Sequence, residues 1–251
     1  MNERELKNAV NKIEISEEAK QRILSKTKKI NYRKEESYMK SKKKYSFIAI
    51  AAAMVLGITV FAANGVVTSW LSSSSAKPDY TSLPTEQQCI KDIGYSPVLV
   101  ESFRNGYKFK EGSIVKNNLT DENNNSIEKF KSVSFSYEKD GDEVIFSQDK
   151  FDTRLDTNGN EIGVVNGVPI YYNSYTNKIV PPDYKMTEED KKAEENGELV
   201  FAWGSDEVKI SEVSSVQWVK DGIQYMLMQI DGKLSENELR DMAADLINGT
   251  V

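Results

Sequence analysis

Residues 216–249 read VQWVKDGIQYMLMQIDGKLSENELRDMAADLING, and they carry the clearest structural instruction in the chain. Val216 and Trp218 belong to a strand-forming run that meets Asp221-Gly222, a dipeptide suited to a type I′ reversal, before Ile223 to Ile230 forms a second strand. A helix follows. Ser235 is placed as its N-cap, with Glu238 at the third helical position to complete a capping box. Leu234 and Leu239 flank that box as a hydrophobic staple. Leu239, Met242, Ala243, Leu246 and Ile247 recur at helical spacing as one apolar face, and Gly249 closes the element.

The same grammar extends upstream. Val133, Phe135 and Tyr137 alternate before Asp140-Gly141, and Val144-Ile145-Phe146 follows it. Ile162 to Val165 leads through Asn166-Gly167 into Val168 to Tyr172, and Leu199 to Trp203 is a further short strand. Hairpins with helices at their ends predict an α+β domain on an antiparallel sheet, over residues 86–251. Residues 65–85, with serines from Ser72 to Ser75 followed by Pro78 and Pro84, read as a linker.

Charge divides the chain in three. Residues 1–44 hold fourteen Lys or Arg against seven Asp or Glu, residues 45–76 hold no charge, and the rest is strongly acidic within a total of −6. A helix over residues 45–64 reaches about 30 Å at about 1.5 Å per residue, the thickness of a bilayer core. Lys40, Lys42, Lys43 and Lys44 precede it, which places the N-terminus in the cytoplasm and the acidic body outside. A buried core helix is disfavoured by those lysines. A cleaved leader fits the small-residue spacing of Val60 and Ala62, but its basic region would be far too long. No cysteine stands beside the segment to carry a lipid anchor. The expectation is a single-pass protein of the cell membrane.

In the arm, residues 1–44, Leu6, Ala9, Val10 and Ile13 form one apolar stripe on a short helix. Ser16 starts a second helix, with Glu17 and Glu18 in its first turn and Ala19, Ile23, Leu24 and Ile30 on its apolar side. Helices this short are marginal alone, so Leu6, Val10, Ile13, Ile23 and Leu24 are the candidate partner-binding residues. Anionic lipid is a second home for the lysine-rich stretch, and a tail that only sets topology is the plainest alternative. The basic residues need no nucleic acid to explain them, since topology already does.

The chain has no histidine and one cysteine, Cys89. This excludes Ser-His-Asp and Cys-His catalysis, HExxH zinc sites, thiol-based zinc sites and an internal disulfide. Asp156, Asn158 and Asn160 have the opening spacing of a calcium loop, but Glu161 and Gly167 stand where glycine and glutamate are needed. Asp121, Asn123 and Asn125 fail likewise at Ser126 and Ser132. The run Glu188, Glu189, Asp190, Lys191, Lys192 reads as a solvated helix capped by Thr187, with Glu188 and Lys192 paired. Trp203, Trp218, Tyr171, Tyr172 and Tyr225 read first as core, and as a binding groove only if several face outward. Cys89 is available to pair between chains or to stay idle. No catalytic residue, cofactor or metal is expected, nor an enzyme.

Residues 97–109, PVLVESFRNGYKF, resemble the opening of an outer domain found in single-pass proteins of clostridial and related Gram-positive bacteria. Val216-Gln-Trp218 through Gly222 to Tyr225, with Leu234-Ser-Glu-Asn-Glu-Leu239, is similar to that domain's closing hairpin and helix. The arm segment ISEEAKQRIL, residues 15–24, looks like the cytoplasmic part preceding such domains. Members are described as anti-sigma-factor-like. The resemblance implies a regulatory protein whose arm holds a cytosolic partner such as a sigma factor while the outer domain senses. One transmembrane helix transmits a small shape change poorly, so homodimerisation or proteolysis is the expected route across the membrane. This arm lacks the His/Cys zinc motif of one major anti-sigma class. The alternative is an anchored binding module of the cell envelope with no cytoplasmic partner.

Overall fold

Three Asx-Gly pairs set the registers. Asp140-Gly141, Asn166-Gly167 and Asp221-Gly222 all hold both residues at positive φ, between 50° and 80°. Those are the angles of a type I′ turn, whose twist matches that of paired strands. The computed structural model describes residues 60–62, 65–67, 69–121, 123, 125–150 and 159–251, all within one of two compact units, residues 49–251. Along the chain run β1 (Val60–Ala62), β2 (Gly65–Val67), β3 (Ser69–Ser74), α1 (Glu86–Ile93), β4 (Lys108–Thr120), β5 (Ser126–Lys139) and β6 (Asp142–Lys150). There follow β7 (Asn160–Val165), β8 (Val168–Val180), α2 (Glu188–Glu195), β9 (Leu199–Trp203), β10 (Lys209–Lys220), β11 (Ile223–Ile230) and α3 (Glu236–Asn248).

β1 and β2 pair with each other, and the other nine strands form one sheet in the order β3-β4-β5-β6-β11-β10-β8-β7, with β9 also on β8. All its pairings are antiparallel except β8–β9. The α+β class expected from the hairpins is what the chain adopts. β11 lies inside the sheet, between β6 and β10. Of its run Tyr225-Met226-Leu227-Met228, Tyr225 and Leu227 point into the core and the methionines to the other face.

The core lies under α1 and α3. Leu239, Met242, Ala243, Leu246 and Ile247 of α3 and Cys89 and Ile93 of α1 pack on Phe135, Tyr137, Phe146, Val216, Trp218 and Leu227. Trp218 and Tyr225, register partners, stack at 5.3 Å between ring centroids, and Phe146 continues the stack at 6.1 Å from Tyr225. The capping box of α3 forms as expected, with the Ser235 side chain accepting from the Glu238 N–H and Gly249 in the left-handed region. Cys89 is fully buried, which removes it from pairing between chains.

Two expectations need correction. The linker over residues 65–85 is folded: β2 and β3 lie there, and Ser69–Ser74 pairs with Thr120 to Val115 of β4. The serine run carries no charge to oppose pairing, so it serves as an edge strand. Further on, the Asp79 and Tyr80 N–H groups donate to the Gly112 carbonyl and Gly112 N–H donates back to Tyr80. Gly112 permits this because a Cβ there would stand 2.7 Å from the Phe135 ring. The folded body therefore begins well before Glu86.

The second correction concerns the expected span, whose last part is extended: Val60–Ala62 pairs with Gly65–Val67. The β-branched Val60, Val66 and Val67 favour extended backbone over a last helical turn. Residues 45–59 and the arm, with Leu6, Val10, Ile13, Ile23 and Leu24, lie outside the described residues. Among the described residues no helix is long and apolar enough to cross a membrane.

Because Leu239 is fully buried, Leu239→Ala is expected to lower stability by about 2–5 kcal/mol. Ser235→Ala, which removes the cap alone, is expected to cost about 1 kcal/mol. Urea unfolding of the full chain checks both, and equal losses would contradict the packing described.

Candidate functional site

β5 reads Ser132-Val133-Ser134-Phe135-Ser136-Tyr137. Side chains alternate across a strand, so valine and the aromatics face α1 and α3 while the serines face the opposite side. That side is a polar ladder. Ser134 and Ser147 share a 2.7 Å hydroxyl contact, Ser136 donates to Glu143 at 3.1 Å, and Glu143 accepts Lys110 Nζ at 2.7 Å.

At the other end of the serine row a longer chain of bonds forms. Trp70 Nε1 and Ser72 Oγ on β3 donate to Asn117 Oδ1 on β4, at 2.8 and 2.7 Å. Asn117 Nδ2 donates to Ser132 Oγ on β5 at 2.7 Å. One step beyond the Val133–Gln148 pair, Ser132 on β5 and Asp149 on β6 lie on this same face. Asn117 and Ser132 are nearly fully buried, and Asp149 is half-buried with protein packed densely about its carboxyl. Burial pushes the Asp149 carboxyl up to about 6, and the neighbouring Ser132 hydroxyl offsets only part of that rise.

Other titratable clusters hold the fold. Lys178 Nζ bonds Asp190 at 2.6 Å and Tyr184 at 2.9 Å. Asp190 is also the third-position partner in the Thr187 capping box. The lysine first, and the Thr187 N–H second, hold the Asp190 carboxyl down at about 2. The acidic run is thus anchored through Asp190, and Glu188 pairs with Lys191 at 2.6 Å rather than with Lys192. Tyr107 donates to the buried Asp142 carboxylate.

Trp218 and Tyr225 lie in the core, while Tyr171 and Tyr172 are half-buried and Trp203 is 44% exposed. They do not converge on a groove. The Asp121 carboxylate accepts the N–H groups of Asn123 and Asn125 at 2.9 and 2.8 Å, and Asn125 Nδ2 at 3.0 Å, which closes a turn. These bonds, the Asn125 side chain first, lower its carboxyl. Asp156 and Asn158 lie outside the described residues. Among the described residues no group of three acidic or cysteine side chains is placed to hold a metal ion. An open groove of about 400 Å³ lies between Thr81, Ser82 and Leu83 on one side and Glu101, Ser102, Lys108 and Phe109 on the other.

Sequence reading did not find Asp149, Asn117 or Trp70 as a group. The alternating serines were the available signal, but only the register of four strands puts those residues in line.

The native chain holds the Asp149 proton more tightly than an unfolded chain, whose carboxyl titrates near 3.9. Its contribution to stability is present below about pH 4 and is lost as pH rises through about 6. Asp149→Asn is therefore expected to be more stable than wild type by roughly 1–3 kcal/mol at pH 7.5, with the gap closing near pH 4. Parallel urea titrations at the two pH values check it; a gap independent of pH would contradict the assignment.

Compared with protein families, curated proteins and solved structures, the chain matches no family model, no curated protein and no solved structure.

Proposed function

We propose that the protein is a single-pass membrane regulator of the anti-sigma type, with an outer sheet domain that senses and a cytoplasmic arm that holds a protein partner. The observation that carries this reading is the charge profile: a basic arm, thirty-two residues without charge from Tyr45 to Ala76, and an acidic body. The position of β3 supports it. The sheet's first strand begins at Ser69, ten residues after residue 59, the last position before β1.

The arm's apolar stripe, Leu6, Val10, Ile13, Ile23 and Leu24, docks in a groove of a cytosolic protein, for which a sigma factor is the proposed case. A single transmembrane helix transmits small shape changes poorly, so the signal passes by homodimerisation or by proteolysis of the chain. No catalytic group or cofactor enters this scheme.

Affinity capture from membranes with the full chain tests it. Wild type is expected to recover a sigma factor, and Leu6→Asp or Ile23→Asp to weaken recovery roughly tenfold or more, since a buried carboxylate in the contact costs over 1.4 kcal/mol. Equal recovery by wild type and variants overturns the stripe. Recovery of no sigma factor moves the function to an anchored binding module of the envelope.

A further inference from the structure

β9 is bonded along one edge only. It joins the sheet through its parallel pairing with β8, from Thr176 opposite Leu199 to Val180 opposite Trp203. At one end the Thr176 N–H donates to the Glu198 carbonyl, and at the other the Gly204 N–H donates to the Val180 carbonyl. Polar groups of successive residues turn to opposite edges of a strand, so Glu198, Val200, Ala202 and Gly204 serve β8. Leu199, Phe201 and Trp203 therefore turn their N–H and C=O groups outward, and among the described residues none of these groups has a partner.

An open edge is ordinarily blunted by charge, proline or a bulge. β7, which lies on the same edge of β8, carries Glu161 and a bulge between Glu161 and Gly163. β3, at the far edge of the sheet, is mostly serine, and its Trp70 is already committed to Asn117 and Phe130. β9 reads Leu-Val-Phe-Ala-Trp, with no charge, no proline and no break in its register. Trp203 packs edge-on against Phe201 at 4.7 Å between ring centroids, yet 44% of it is exposed. We propose that β9 pairs antiparallel with β9 of a second copy of this chain, about a two-fold axis at Phe201.

Geometry and charge both select a second copy. With Phe201 opposite Phe201, Leu199 of each copy stands opposite Trp203 of the other, and every residue of the strand is paired. Outward groups then meet only outward groups, which is the condition for an antiparallel ladder. Opposed residues share a face, so the exposed Trp203 comes to lie beside Leu199 of the other copy. That is the face on which Leu199 and Phe201 pack with Tyr184 and Met186. Glu198, the charge nearest the strand, falls opposite Gly204, and no like charges are opposed within the pair. In an acidic body, the uncharged run from Leu199 to Ser205 is thus a place where two copies can approach. A contact of five residues a side is smaller than the standard interface of about 800 Å² per partner, so the dimer is weak and reversible. Its use as the signal's route rests on the membrane reading, since tethering in one bilayer raises the effective concentration. The pairing itself does not.

Sedimentation equilibrium of the full chain in density-matched detergent, over a roughly hundredfold range of concentration, tests the edge without any arm partner. Wild type is expected to pass reversibly from monomer toward dimer. Trp203→Glu, which sets a carboxylate against Leu199 of the other copy, is expected to weaken the dimer tenfold or more, while Trp203→Phe stays within about threefold of wild type. Register is read by oxidising a mixture of Val200→Cys and Ala202→Cys chains, because these positions oppose each other as a close pair, and Cys89 is too buried to compete. A disulfide dimer is expected in the mixture and in neither variant alone. Wild type that stays monomeric throughout overturns the proposal. A dimer unchanged by Trp203→Glu, as one formed through the expected span or β3 would be, overturns it equally, and so does a mixture that fails to cross-link. None of these results touches recovery of a sigma factor by the arm, so failure of the edge and failure of the regulatory reading are separate outcomes.

Discussion

The pairing of β6 with β11 is the contact on which the rest of the body depends. Without it the described residues would make two separate sheets, β3 to β6 on one side and β7 to β11 on the other. The seam runs from Lys150 opposite Ile223 to Ile145 opposite Met228, and it joins segments about seventy residues apart. So distant a pairing needs strong side-chain contacts to offset the entropy of closing the loop. It has them in Phe146, Tyr225 and Trp218, which stack across β6, β11 and β10 beneath α3. The closing hairpin is therefore the keystone of the sheet, and α3 is the cover over its joint.

Once joined, the sheet has two unlike faces. Toward the helices it presents aromatic and branched side chains, which exclude water and set the core. On the other side it presents serines and Asn117, satisfied by one another across strands. A buried hydroxyl or amide is tolerable only when paired, so this face is specified by hydrogen-bond geometry where the first is specified by volume.

Much of this was legible in the residues. Asp140-Gly141, Asn166-Gly167 and Asp221-Gly222 announced their hairpins because only those residue types adopt positive φ at little cost, and Ser235 with Glu238 announced α3 through its cap. What stayed hidden was non-local. Nothing in Tyr225 or Phe146 says that their strands are neighbours, and Asp149 is buried by β11, a strand distant in sequence. Ser69–Ser74 looked like a tether because serine is common in linkers; its strand character comes from Asn117 and the edge of β4, which local composition does not contain. The arm's stripe, from Leu6 to Leu24, remains a reading of periodicity.

The position of β11 bears on how the body is made. It is the last strand of the sheet to be synthesised, yet it sits between strands made earlier. Until it arrives, β6 and β10 each expose an unpaired edge, and the nascent protein is two half-sheets with open hydrogen-bonding rows. Such rows recruit other chains, so assembly is a race between late closure and association with a neighbour. Long-range closure is slow, which lengthens that exposed interval. Loss of residues 216–249 would thus do more than remove a hairpin and a helix: it would leave two sticky edges in place of a seam.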